Sequence, residues 1–254
     1  MHRTSDNGIS KVPEVTLAFW VIKILATTLG ETGGDALSMT VNLGYAVSSA
    51  IFFGFFIFTV VAQITSTTFR PLLYWAVIVA TTTAGTTMAD FADRSLGIGY
   101  IGGSLTLFAA LMIVLGLWRL FVGSVSFNEI TSRKVEMFYW VTILFSNTLG
   151  TALGDFFADD SGLGYEGAAI AFSCALALIA AAYFFTSLSR TLVFWSAFIL
   201  TRPLGAAVGD LLTKPVAQGG LHLSRLTSSA IIAALIIACI LFTSQRRMER
   251  AEES

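Results

Sequence analysis

The sequence predicts an all-α integral membrane protein of eight transmembrane helices, arranged as four parallel two-helix repeats. Three observations predict it: a composition too apolar for water, eight apolar runs of spanning length, and a four-fold recurring frame of tryptophan, glycine and aspartate. The chain has 254 residues, of which 55% are hydrophobic and 12% charged, with a mean hydropathy of +0.77. A soluble domain carries roughly twice that charged fraction. The balance excludes a disordered chain, a nucleic-acid binder with a basic surface and an ordinary cytosolic enzyme. Net charge is −1, so the distribution of charge matters more than its sum.

Runs of about twenty apolar residues are long enough to cross a bilayer core. They fall at 15–34, 43–64, 71–89, 100–121, 137–154, 166–187, 191–209 and 221–243. Gly, Asp, Asn, Pro or basic residues separate them, as turns require. Residues 1–13 are polar without a cleavable signal, and the first run is expected to stay as a signal anchor.

Trp20, Trp75, Trp140 and Trp195 each open a shared frame. Ten residues on stand Gly30, Gly85, Gly150 and Gly205; fifteen on stand Asp35, Asp90, Asp155 and Asp210. Nine after each aspartate comes Gly44, Gly99, Gly164 or Gly219, followed by Tyr45, Tyr100 and Tyr165 in the first three repeats and by Gly220 in the divergent fourth. Residues 20–45 and 140–165 share 10 identities in 26 positions, so two halves repeat at an offset of 120 and the pattern is A-B-A-B. The expected organisation is a cytoplasmic tail (1–13), a first four-helix half (14–121), a cytoplasmic linker (122–133), a second half (134–243) and a charged cytoplasmic tail (244–254). Two spans per repeat keep all four repeats in one orientation, as parallel rather than inverted copies.

Lys and Arg sort to one side. Arg3, Lys11, Arg70, Arg119, Arg133, Lys134, Arg190, Arg246, Arg247 and Arg250 flank it, against Arg94, Lys214 and Arg225 on the other. The positive-inside rule then places both termini in the cytoplasm. Glu31, Asp35, Asp90, Asp93, Asp155, Asp159, Asp160, Glu166 and Asp210 gather on the outer side, where negative potential attracts cations. For the loop acids Asp93, Asp159 and Asp160, plain surface polarity is an equal reading. The four framed aspartates each end a span, where the helix dipole disfavours a negative charge. Two readings stand: carboxylates and helix-end carbonyls as hard oxygen ligands for a cation, or turn-forming aspartates that bind the next backbone amides.

Steps of four keep residues on nearly one helix face. Offsets +3, +7, +11 and +15 from each Trp give Lys23, Thr27, Glu31 and Asp35; Ile78, Thr82, Thr86 and Asp90; Ile143, Asn147, Thr151 and Asp155; and Phe198, Arg202, Ala206 and Asp210. The stripe runs about 18 Å. The second helices carry no interior charge, so the first helices are expected to line a shared polar interior and the second to form an apolar shell. Gly30, Gly85, Gly150, Gly205, Gly34, Gly154 and Gly209 suit close helix approach, with a hinge as the alternative.

Charges inside a membrane are costly and mark functional candidates. Arg202 sits midway along its span, and a pair with Glu31 across the bundle would neutralise both; a structural ion pair that sets helix register is the alternative. Lys23 lies nearer the inner end, within snorkelling reach of it. The four tryptophans are expected as interface anchors. Pro203 frees a backbone carbonyl one turn earlier and is expected to kink or break its helix. Cys174 and Cys239 lie in apolar runs and support no disulfide, and with only His2 and His222 a haem or soft-metal site lacks ligands, so no cofactor is expected.

The segments Lys11-Val-Pro-Glu-Val, Ala26-Thr-Thr-Leu-Gly-Glu-Thr, Phe138-Tyr-Trp-Val-Thr and Leu200-Thr-Arg-Pro-Leu-Gly resemble a family of bacterial membrane proteins of unknown function. That family has four tandem two-helix repeats, each with a characteristic tryptophan, and its members are labelled uncharacterised membrane-anchored proteins. The resemblance spans residues 11–243 and implies a multi-pass protein of the bacterial inner membrane; it implies no substrate.

The residues themselves point to a small-cation transporter for a hard or proton-coupled ion, with an acidic outer vestibule. Asp35, Asp90, Asp155 and Asp210 are the candidate metal ligands. Glu31, Arg202, Lys23, Thr27, Thr82, Thr86, Asn147 and Thr151 complete the pathway. The alternatives are a carrier of a small organic or anionic solute held by Lys23 and Arg202, and a non-transporting scaffold or sensor. No HExxH, nucleophile or paired-carboxylate motif suggests an enzyme. The expected partners are the lipid bilayer and a small cation, not nucleic acid, and self-association into a homo-oligomer is compatible with the sequence.

Overall fold

A computed structural model describes residues 11–125 and 132–252, with the backbone alone described for 246–252. The residues expected as the first part of the N-terminal tail (1–10), the middle of the linker (126–131) and the side chains of Arg246, Arg247 and Arg250 lie outside the described residues. The described residues form eight α-helices: α1 Leu17–Asp35, α2 Gly44–Thr65, α3 Pro71–Asp90, α4 Gly99–Val122, α5 Arg133–Asp155, α6 Gly164–Phe185, α7 Arg190–Thr213 and α8 Arg225–Glu252. Among the described residues there is no strand.

Local chemistry sets the ends. The Thr16 and Ser132 side chains accept from the backbone amides of Phe19 and Val135 and cap α1 and α5. Pro71 opens α3 at a position where its missing N–H costs nothing. Beyond Asp35, Asp90 and Asp155 the backbone widens into a π-type turn, Ala36–Thr40, Phe91–Ser95 and Phe156–Asp160. In the fourth repeat Pro215 cannot continue the helix, and a short 3-10 turn, Val216–Gln218, replaces the π-type turn. The glycine nine residues after each aspartate holds a left-handed backbone, φ 75° at Gly44, 74° at Gly99, 68° at Gly164 and 87° at Gly219. That conformation strains any residue with a Cβ and explains the recurrence.

Six helices, α2, α3, α4, α6, α7 and α8, are long and apolar enough to cross a membrane. Eight were expected. The α1 and α5 helices fall short because they carry Lys23, Glu31 and Asp35, and Glu136, Asn147 and Asp155. Those residues are turned inward and buried.

The first helices of the repeats close a ring: α1 packs on α3, α3 on α5, α5 on α7 and α7 on α1. Each second helix lies against the first helix of the following repeat, α2 on α3, α4 on α5, α6 on α7, and α8 returns to α1. The outer helices present Ile51, Phe58, Leu105, Leu120, Leu178 and Phe184 outward, an apolar surface suited to lipid.

Small residues allow the ring to close. A methyl group at Gly30 would collide with Thr82, at Gly85 with the Asn147 and Thr148 backbone, at Gly150 with Arg202 and Pro203, and at Gly205 with Thr27. Offset +10 of each repeat therefore meets offset +7 of the next, four times around. Gly34, Gly154 and Gly209 add the second contact of a small-xxx-small pair against Thr86, Ala206 and Glu31. These glycines pack rather than hinge.

At the tryptophan end, the ring is filled with aromatic side chains. Trp75, Trp140 and Trp195 are buried and Trp20 is half-buried. Their rings pack on Phe19, Tyr74, Tyr139, Phe194 and on the fifth tryptophan, Trp118. An interface anchor faces the headgroups; these indoles instead cap the interior. The reason is their register: offset 0 shares a face with the inward-turned offsets +3 and +7. The α7 helix runs unbroken through Pro203, whose ring lies beside Gly150 and whose backbone lies beside Gly154, so the expected broken helix is absent.

Replacing Gly205 with alanine pushes a methyl group into the Thr27 side chain and the backbone behind it, and overpacking of this kind costs about 1–3 kcal/mol. Gly54→Ala adds its methyl where nothing lies within 4 Å. Thermal melts in detergent should show a lower midpoint for the first variant and none for the second.

Candidate functional site

Inside the ring the stripe residues form layers along one axis. Nearest the tryptophans, the Tyr74 and Tyr139 hydroxyls share a hydrogen bond of 2.6 Å. One layer up, Lys23 is fully buried. It does not snorkel to the inner end: Nζ donates to Asn147 Oδ1 at 3.3 Å and lies 4.0 Å from the Phe198 ring centroid. Asn147 in turn donates to Thr81 Oγ1 at 2.8 Å. Thr27 and Thr82 point across the seams and donate to the carbonyls of Thr201 and Ala26, both at 3.1 Å.

Arg202 occupies the centre. Its Nη2 is 3.1 Å from Glu31 Oε2, donates to Thr151 Oγ1 at 2.6 Å and bonds the Thr86 hydroxyl; Nη1 reaches the Thr27 carbonyl at 3.5 Å. The ion pair expected from sequence is thus present, with Thr86 also 3.3 Å from Glu31 Oε2. One guanidinium ties together α1, α3, α5 and α7.

Above it the four framed aspartates converge, each no more than 2% exposed. They are bridged in two pairs. Lys214 Nζ lies 2.9 Å from Asp35 Oδ2 and 3.1 Å from Asp210 Oδ1. Arg94 Nε lies 3.0 Å from Asp90 Oδ1, and its Nη2 is 3.2 Å from Asp155 Oδ2 and 3.7 Å from Asp159. Arg225 stands 3.5 Å from Asp35 Oδ2. Each bridging cation follows its own aspartate by four residues, one helical turn, and reaches the aspartate of the next repeat. Burial opposes the Lys214 charge, but Asp210 and Asp35 outweigh it and hold the ammonium pKa well above the usual lysine value.

Sequence reading missed these bridges, although the signal is there. The fourth residue after the aspartate is basic in both B repeats (Arg94, Lys214), and is Met39 or Asp159 in the A repeats. The acids at the aspartate end are therefore partly balanced, and the bare funnel of negative potential is replaced by a buried network of alternating charge. Of the loop acids, Asp93 is buried beside Gly103 while Asp160 is exposed. The carboxylate oxygens of Glu31, Asp35 and Asp210 lie within 4.8 Å of one another, close enough to share a metal ion. Asp90 and Asp155 stand outside that group. The two cations proposed to hold an anionic solute are both engaged, Arg202 by Glu31 and Lys23 by Asn147.

Removing one partner of a buried ion pair leaves an uncompensated charge and costs about 3–5 kcal/mol. Arg202→Met should therefore lower the detergent melting midpoint sharply. Adding Glu31→Gln should recover much of the loss, and a double variant as unstable as the sum of the two singles would show that the pair is not coupled.

A family model described as Repeat of Unknown Function (DUF347) matches four consecutive segments, residues 18–68, 73–123, 138–189 and 193–249. Each segment contains one Trp-Gly-Asp frame. No curated protein and no solved structure matches the chain. With most of its length covered by four copies of that repeat, the chain belongs to the DUF347 repeat family.

Proposed function

We propose that the protein is a small-cation transporter of the bacterial inner membrane, non-enzymatic, with both termini cytoplasmic and the aspartate end facing outward. In this reading all eight helices span, α1 and α5 included, because their polar residues face the ring and the outer helices cover them. What carries the reading is the convergence of five buried carboxylates, Glu31, Asp35, Asp90, Asp155 and Asp210, at one end of a four-helix axis. Buried acids lining a bundle interior are the usual hallmark of an ion or proton path.

A cation arriving from outside meets the aspartate layer, where Arg94 and Lys214 stand in for it. Arg202 and the aromatic cap close the other end. Passage therefore needs a rearrangement in which Arg202 releases Glu31, with carboxylate oxygens taking the ion as the bridging cations move away. The threonine hydroxyls of Thr86 and Thr151 offer neutral hard ligands along the way.

A second reading, a non-transporting scaffold or sensor, draws on the same closed interior, in which every guanidinium and ammonium on the axis is already engaged. Flux separates the two. In proteoliposomes, Asp35→Asn and Asp155→Asn should each reduce cation or proton flux at least about tenfold while the purified protein stays monodisperse; wild-type flux in both sinks the transporter. For topology, reporter fusions after residue 40 and after residue 68 should report opposite sides of the membrane. Reports of the same side would remove α2 as a span and, with it, the eight-span arrangement.

A further inference from the structure

We propose that Glu31, Asp35 and Asp210 form a binding site for a hard divalent cation, and that Lys214 is a tethered competitor that occupies it in the metal-free protein. The inference deepens the cation-carrier reading by naming the ion class and the seam that holds it, between α7 and α1.

Among the described residues, three carboxylates from two adjacent helices meet only here. The α3–α5 seam has the same aspartate pair and its own bridging cation, Arg94, but offset +11 there supplies Thr86 and Thr151 in place of Glu31. The α7–α1 seam adds Glu31 to Asp210 and Asp35, with ligand oxygens within 4.8 Å of one another. Oxygen donors without Cys or His select Mg²⁺, Mn²⁺ or Ca²⁺ over soft metals.

Two further observations point to a ligand. The first is the ammonium already there, 2.9 and 3.1 Å from Asp35 and Asp210. It belongs to Lys214, just past the end of α7, on a flexible four-carbon stem that can swing away. The second is an unsatisfied oxygen within the site itself. Asp35 Oδ1 has no hydrogen-bond partner although the residue is 1% exposed. Lys214 and Arg225 both lie against the other oxygen, Oδ2. A buried oxygen without a partner is costly, and a cation on the axis is the species that satisfies it.

The test uses the full-length protein purified in detergent, with Mn²⁺ as the probe and free Mn²⁺ followed by its paramagnetic resonance. Wild type should bind Mn²⁺, with Mg²⁺ or Ca²⁺ competing and Na⁺ not. Lys214→Gln should tighten binding about tenfold, Lys214→Arg should not tighten it, and Asp35→Asn should weaken it at least about tenfold. Arg94→Gln removes the same charge from the same layer and should change affinity by less than about threefold. Equal tightening in the Arg94 and Lys214 variants would reduce the effect to diffuse electrostatics and overturn the proposal. So would a lack of Mn²⁺ binding by both wild type and Lys214→Gln. If Asp35→Asn does not stay monodisperse, the Lys214 pair and the wild-type competition decide alone. Binding without flux keeps this site and sinks the carrier; flux without Mn²⁺ binding sinks this site and keeps the carrier.

Discussion

A charge held among hydrocarbon groups must find its counter-charge within a few ångströms, and the inner helices of this protein are arranged around that requirement. Arg202 is the centre of it. Its guanidinium has donors pointing in several directions in one plane, and no single neighbouring helix could satisfy them. Glu31 on α1, Thr86 on α3 and Thr151 on α5 do so together, with Arg202 itself on α7. Such convergence requires the four axes to come unusually close. The glycines ten residues after each tryptophan make that possible, since each lies under a stripe residue of the next helix. Charge and close packing are thus one device: without the glycines the guanidinium could not reach, and without the guanidinium Glu31 would be stranded.

The repeats are fourfold in sequence frame but twofold in electrostatics. Arg94 and Lys214 each bridge the aspartate of their own repeat to that of the next, so among the described residues two of the four seams at the aspartate end are clamped and two are not. Glu31 and Arg202 break the remaining twofold relation, because repeats 2 and 3 carry threonine at the offset where repeat 1 carries glutamate. A symmetric ring of four carboxylates would treat all seams alike. The observed pattern makes the α7–α1 seam chemically distinct, which is why both the central guanidinium and the three-carboxylate group fall there.

Much of this was legible along the chain. The tryptophan frame located the four inner helices, the period-four stripe identified the face they turn inward, and the glycine after each turn was marked by its recurrence. The Arg202–Glu31 pair followed from the stripe because two opposite charges near the same depth leave few alternatives. Other features are not legible from residue type. Tryptophan as a type suggests an interfacial aromatic, but the register of these four on the stripe turns them inside. Snorkelling of Lys23 needs an open end to the bundle, and Trp75, Trp140 and Tyr139 are buried there.

The amino-acid sequence by itself determined the helical class, the repeat frame, the inward face and the depth of each charge, because these depend on spacing along one helix and on the cost of polar groups in an apolar run. Only the tertiary structure decided which charges meet. Ring closure of α7 on α1 brings Lys214 to Asp35, 179 positions away. No periodicity in one dimension encodes such a closure; it arises when four narrow helix faces, each unable to satisfy its own polar groups, pack around a common axis.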